Sequence, residues 1–150
     1  MKKKLILLLL IGMFIFSTNV FADKFHGNFC WQVFNSEGQP YWIYQFGVYE
    51  KEGGHLVLYG SVDYGANGIS ASHGNAIIVG GNIKMTIVSS DYEEDESEVW
   101  SETFTAILNP LTLSGEWNAL SLETQDGRNV RTVFQKGSIS QILCQEAVRE

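Results

Sequence analysis

From Asn28 onward the chain alternates apolar and polar residues with a period of two, in segments cut by glycine, asparagine and proline. That period belongs to half-buried strands, and no stretch sustains the 3.6-residue period of an amphipathic helix. The pattern predicts eight strands: Asn28 to Phe34, Tyr41 to Glu50, His55 to Tyr64, Ala76 to Val79, Asn82 to Ser89, Glu98 to Leu108, Leu111 to Thr124 and Asn129 to Lys136. Short turns join most of them, including "SEGQP", "KEGG", Gly80-Gly81 and Asn109-Pro110. The longer "GANGISASHGN" reads as a glycine-rich loop, suited to positive-φ turns or to a lid at a barrel mouth. The tail from Ser138 to Val148 fits a strand, a short helix or a strap.

Each strand has one apolar face. Trp42, Tyr44, Phe46 and Val48 share a side; so do Leu56, Leu58, Gly60 and Val62, and Ile83, Met85 and Ile87. Trp100, Phe104, Ala106 and Leu108 share a side of the sixth strand, and Leu111, Leu113, Gly115, Trp117 and Ala119 a side of the seventh. A meander of this kind buries its apolar faces and loses its sticky edges by closing on itself. The expected fold is therefore all-β, an eight-stranded up-and-down antiparallel barrel, with a two-sheet sandwich as the alternative.

The first 22 residues change the picture. Lys2, Lys3 and Lys4 precede an apolar run from Leu5 to Phe16, and Val20-Phe21-Ala22 ends in a small residue. This is the form of a signal peptide, with cleavage expected after Ala22. The run is too short for the roughly 20 residues that span a bilayer, and no membrane anchor is expected after cleavage. Residues 23–150 then form one domain of 128 residues, exported to the periplasm or beyond the cell. Export makes the two cysteines, Cys30 and Cys144, a pair in an oxidising compartment, and a disulfide between them is expected. Loss of the three leader lysines leaves seven basic residues against seventeen acidic ones, a net charge of −10. Such a charge repels nucleic acid and anionic lipid.

Gly27, then Trp31 on the first strand, eight meandering strands, a leader and a terminal cysteine pair resemble the calycins, the lipocalin-like barrels. In that family the first strand carries Gly-x-Trp, and an arginine on the last strand packs over the tryptophan. Here Asn28-Phe29-Cys30 separates Gly27 from Trp31, and Arg131 in "NVRTVF" stands where the arginine is expected. "TLSGEW", Thr112 to Trp117, is similar to avidin-type strands. The resemblance implies a barrel that holds a small, mostly apolar ligand in its mouth.

Candidate chemistry follows from the inward faces. Trp31, Trp42, Tyr44, Trp100 and Trp117 either line a cup or fill the barrel. Glu102 interrupts the apolar face of the sixth strand, and a carboxylate buried there needs a partner. Arg131 is the partner the sequence offers. Trp42, Tyr44, Trp100, Glu102, Trp117 and Arg131 are thus the candidate ligand-binding residues. The run "DYEEDESE", Asp91 to Glu98, reads as a solvated hairpin loop. Its carboxylates suit Ca²⁺, but Glu96 occupies the position where an EF-hand loop needs glycine. His26, His55 and His73 are scattered, and Ser70, Ser72 and His73 lie outside any nucleophile elbow. No catalytic residue, metal or cofactor is expected. The leading expectation is a non-enzymatic binding protein for a small apolar or aromatic ligand. The alternative is a protein-interaction module, a periplasmic inhibitor or secreted surface factor, meeting a basic protein partner through the acidic loop and the barrel exterior.

Overall fold

Period-two alternation becomes eight strands: β1 (Lys24–Asn35), β2 (Pro40–Glu50), β3 (Leu56–Asp63), β4 (Ile69–Val79), β5 (Asn82–Glu93), β6 (Glu98–Leu108), β7 (Gly115–Gln125) and β8 (Asn129–Ile142). The computed structural model describes residues 23–93, 98–125 and 129–144. The leader, the middle of the acidic loop and the last residues of the chain lie outside the described residues. Each strand pairs antiparallel with its neighbour in sequence, and β8 returns to β1. The sheet is a closed up-and-down barrel, and the sandwich alternative is excluded.

The faces fall as the alternation requires. Tyr44, Phe46, Val62, Ile87, Phe104 and Ile139 have no exposed surface. With Trp31, Trp42, Trp117 and the aliphatic residues between them they form one core inside the cylinder. Because each strand reverses the last, the turns after β1, β3, β5 and β7 share one end, called the upper end below. Those after β2, β4 and β6 share the lower end.

Several boundaries differ from the sequence reading, β1 starting at Lys24 and β5 reaching Glu93 among them, and three bear on the interior and its closure. β4 starts at Ile69, so most of the expected glycine-rich loop is strand; what remains is a 3-10 turn at Gly65–Asn67. The strand was hidden because its inward positions are Ser70, Ser72, Gly74 and Ala76, small residues that give no apolar alternation. Small residues are needed there: a Cβ on Gly74 would lie 2.3 Å from the Thr86 carbonyl oxygen. β7 starts at Gly115, and residues 109–114 form a loop. Asn109 Oδ1 accepts the N–H of Leu111, and the Asn109 carbonyl accepts that of Leu113. Leu111, expected on a core face, is 92 % exposed.

The third difference is the tail, which extends β8. Beyond Gly137 the strand lies against β1, with Gly137–Ile142 paired to Asn35–Cys30. This is the ladder that closes the barrel. Gly137 sits at its tightest point, where an added Cβ would lie 2.0 Å from the Phe34 carbonyl oxygen. Just past the strand, Cys144 is bonded to Cys30, with Cα atoms 5.1 Å apart and the two residues 114 positions apart in sequence. The expected disulfide is present, and it staples the seam.

Candidate functional site

The barrel interior is not uniform along its axis. From the lower end upward, the inward face of β5 reads Ile83, Met85, Ile87, Ser89. That of β6 reads Leu108, Ala106, Phe104, Glu102, Trp100, and that of β7 reads Gly115, Trp117, Ala119, Ser121, Glu123. β4 contributes Ala76, Gly74, Ser72 and Ser70 in the same order. The lower end is hydrocarbon, the middle aromatic, and toward the upper end a belt of hydroxyls and one carboxylate interrupts the apolar lining beneath Trp100. Ser70, Ser72, Ser89, Glu102 and Ser121 are all buried.

Register brings this polar belt together. Glu102 stands between Ser89 on one side and Ser121 on the other, and Ser89 faces Ser72. Tyr44 Oη donates to Glu102 Oε1 at 3.0 Å, and Ser121 Oγ donates to Oε2 at 3.2 Å. Ser72 Oγ and Ser89 Oγ are 2.6 Å apart. Glu102 is 2 % exposed. Burial pushes its carboxyl above the ordinary range, and the bonds from Tyr44 and Ser121 pull the other way. Burial, reinforced by the neighbouring Glu102 charge, raises the Tyr44 hydroxyl well above its usual value. Tyr44 therefore keeps its proton and remains the donor.

Aromatic rings fill the space below the belt. Tyr44 packs on Phe46 and Phe104 at 5.5 and 4.9 Å between centroids, and Phe104 stacks on Trp117 at 5.3 Å. Trp117 touches Trp42 at 5.3 Å and donates its indole N–H to the Phe34 carbonyl. A second series of rings climbs toward the upper end. Tyr64 meets Trp42 at 5.7 Å and 61°, and Trp100 at 5.1 Å and 84°. Trp42 is buried, whereas Tyr64 and Trp100 are half-buried. The buried Trp42 indole N–H has no acceptor among the described residues.

Of the sequence candidates, Trp42, Tyr44, Trp100, Glu102 and Trp117 come together, and Glu102 does point inward. Tyr44, Trp117 and Trp42 are all buried, so the exposed ring surface near the belt belongs to Trp100 and Tyr64. Arg131 does not join them. It is exposed, opposite Glu123 at the upper rim, and the partners of Glu102 are hydroxyls. The expected Glu102–Arg131 pair is corrected accordingly: Arg131 is placed one inward step nearer the rim than the layer of Glu102, Ser121 and Val133. Nor does Arg131 cover Trp31. Gln141, at the other end of β8, stands opposite Trp31, whose indole N–H donates to the Leu113 carbonyl at 3.0 Å.

Sequence reasoning missed Tyr64 and the serines. The serines share strand phase with apolar neighbours, as Ser89 does with Ile87 and Ser121 with Ala119, and that phase is the signal that finds them. Among the described residues no three His, Cys, Asp or Glu side chains gather as a metal site. The acidic-loop carboxylates considered for Ca²⁺, Asp91, Glu93 and Asp95, have side chains outside the described residues. Comparison with family models, with curated proteins and with solved structures finds no match to this chain.

Proposed function

We propose that the protein is an exported, non-enzymatic binding protein that takes a small, mostly apolar or aromatic ligand at the upper end of its barrel, as a lipocalin-like protein does. The change of the interior from hydrocarbon to hydroxyl and carboxylate at that end carries the reading. A barrel that only needed to be solid would gain nothing from a buried carboxylate, which costs solvation free energy. The ligand seat is bounded by Trp42, Tyr64, Trp100 and Glu102, with Tyr44 and Trp117 packed beneath and Arg131 at the rim. This is smaller than a cup running the length of the cylinder, because rings occupy the middle. Trp100 is the natural reporter. Quenching or a spectral shift of tryptophan emission across a panel of small aromatic and aliphatic compounds, lost in Trp100→Phe, supports the reading. Silence across the panel in the folded, oxidised protein refutes it.

One observation favours a second reading. On the outside of the barrel Leu120 stands opposite Phe134, with Leu122 and Val130 near them, and all four are exposed. Singly exposed apolar residues are ordinary, but a contiguous strip is a contact surface for another protein. In this reading the acidic chain is an interaction module for a basic partner. Retention on immobilised basic proteins that weakens with salt and fails in Phe134→Ser is its test.

A further inference from the structure

The belt contains a buried carboxylate that forms no ion pair among the described residues. Among the described residues every ion pair lies elsewhere, at Lys24, His26 and Glu50 and at Lys51 and Asp23. A carboxylate has roughly four acceptor sites, and the two hydroxyl donors use one on each oxygen of Glu102. Two remain. Two positions before Glu102, on the same inward face, comes Trp100. Its ring is nearly perpendicular to that of Tyr64, and Tyr64 in turn is steeply inclined to Trp42. Three rings in this arrangement turn a corner and present π-faces in different directions. A π-face attracts a cation, most strongly for tryptophan, and the attraction grows as water is excluded. The next inward position above Ser121 is another acid, Glu123, half-buried. Arg131 stands across the ladder from Glu123 on the exposed rim, outside the seat, and none of the ion pairs above includes it.

We infer that the ligand of this site is a small protonated amine with an aromatic or short aliphatic body. The inference rests on the proposed ligand seat and names what fills it. The ammonium group takes the open acceptor sites of Glu102 and supplies the missing positive charge. The aromatic corner holds the carbons next to the nitrogen and the body of the ligand. A neutral alcohol of the same shape satisfies the rings but leaves the carboxylate without a counter-ion. A carboxylic acid is repelled by Glu102 and Glu123.

The test is calorimetric titration of the oxidised protein with 2-phenylethylamine, 2-phenylethanol and phenylacetate. The amine is expected to bind about tenfold or more tighter than the alcohol, with the acid weakest. Glu102→Gln should bring amine and alcohol within about twofold of each other while leaving the alcohol unchanged. Glu116→Gln, on the outer face of β7, should leave the preference intact. Should Glu102→Gln fail to fold, Trp100→Leu serves, since it removes a half-buried ring and should weaken the amine about fivefold or more. Alcohol binding equal to amine binding overturns the inference and leaves the small-ligand reading standing. Amine binding unchanged by both Glu102→Gln and Trp100→Leu, or weakened equally by Glu116→Gln, marks surface attraction to an acidic protein and also overturns it. Failure of all three compounds overturns it too; the small-ligand reading falls only if the wider panel is silent as well.

Discussion

Tyr44 and Glu102 lie 58 positions apart in sequence and meet inside the barrel, where the phenol donates a 3.0 Å hydrogen bond to the carboxylate. Both groups are buried, so the bond is not in exchange with water. Its worth is mostly the cost of leaving the carboxylate short of a donor. Tyr44→Phe keeps the ring that packs on Phe46 and Phe104 and removes only the hydroxyl. It is expected to cost about 1–3 kcal/mol at neutral pH, read by urea unfolding. In a Glu102→Gln background the same change should cost less, because no buried charge is then orphaned. Equal costs in the two backgrounds would show that the pair is not coupled.

The raised Glu102 carboxyl has a consequence for stability. A folded-state pKa above the ordinary glutamate value of 4.5 means that the folded protein binds the proton more tightly than the unfolded chain. The contribution is therefore greatest when Glu102 is protonated and is lost as pH rises from the ordinary value through the folded one. Glu50 acts in the opposite sense: its hydrogen bond with His26 and the charge of Lys24 lower its pKa, so its contribution is lost as pH falls through that lowered value. It is partly exposed, and its window lies below that of Glu102. From about pH 4.5 upward, the wild type is expected to lose stability with pH at up to about 1.4 kcal/mol per unit. Glu102→Gln should flatten that slope. Parallel pH profiles for the two proteins would remove Glu102 as its source.

Trp31 is held by a backbone that L-residues rarely adopt. Leu113, whose carbonyl accepts the indole N–H, is the one non-glycine residue with positive φ among those described, at 51°. The loop tolerates this because Asn109 fastens it from both its side chain and its carbonyl. Leu113→Gly is expected to change stability by less than about 1 kcal/mol, since relief of the strained φ offsets a half-buried side chain. Trp31→Phe loses the hydrogen bond and part of the ring in a packed core, and should cost about 2–4 kcal/mol by thermal or urea unfolding. A Leu113→Gly cost as large as that of Trp31→Phe would show the loop conformation to be unstrained.

Much of this architecture was legible in the residues, and the failures share a cause. Trp42, Tyr44, Phe46 and Val48 alternate so plainly that β2 could not be missed, and the same holds for Ile83, Met85 and Ile87 on β5. The first part of β4, Ile69–Asn75, reads as loop because its inward side chains are serine and glycine. Those residues are inward for reasons of space and hydrogen bonding that arise only when Ser72 faces Ser89 and Gly74 meets the Thr86 carbonyl. Leu111 and Leu113 extended the β7 alternation by accident, and only Asn109 turning the chain decides against it. For the site, strand phase placed Glu102 inward, but its partner depends on barrel stagger. Arg131 shares the inward phase and lies too near the rim, while Tyr44 reaches across from β2.

The seam between β1 and β8 is the shortest ladder of the barrel, Cys30–Asn35 against Gly137–Ile142, and the disulfide sits at its end. Every other pair of adjacent strands is joined by a hairpin, whereas β1 and β8 come from opposite ends of the domain. Their pairing must therefore overcome the closure entropy of nearly the whole chain. The cross-link removes that cost, and by the loop-entropy relation a closure of this length is worth about 4–5 kcal/mol. Reduction, or Cys30→Ser with Cys144→Ser, is expected to lower stability by about 2–5 kcal/mol. Hydrogen exchange gives the location: amides of Gly137–Ile142 and their β1 partners should lose protection first, while the β5–β6 and β7–β8 ladders hold. Gly137→Ala attacks the same seam from within, because its Cβ has no room beside the Phe34 carbonyl. It should open the same amides even with the disulfide intact. Uniform loss of protection across all eight strands in either variant would mean that the seam is no weaker than the rest of the barrel.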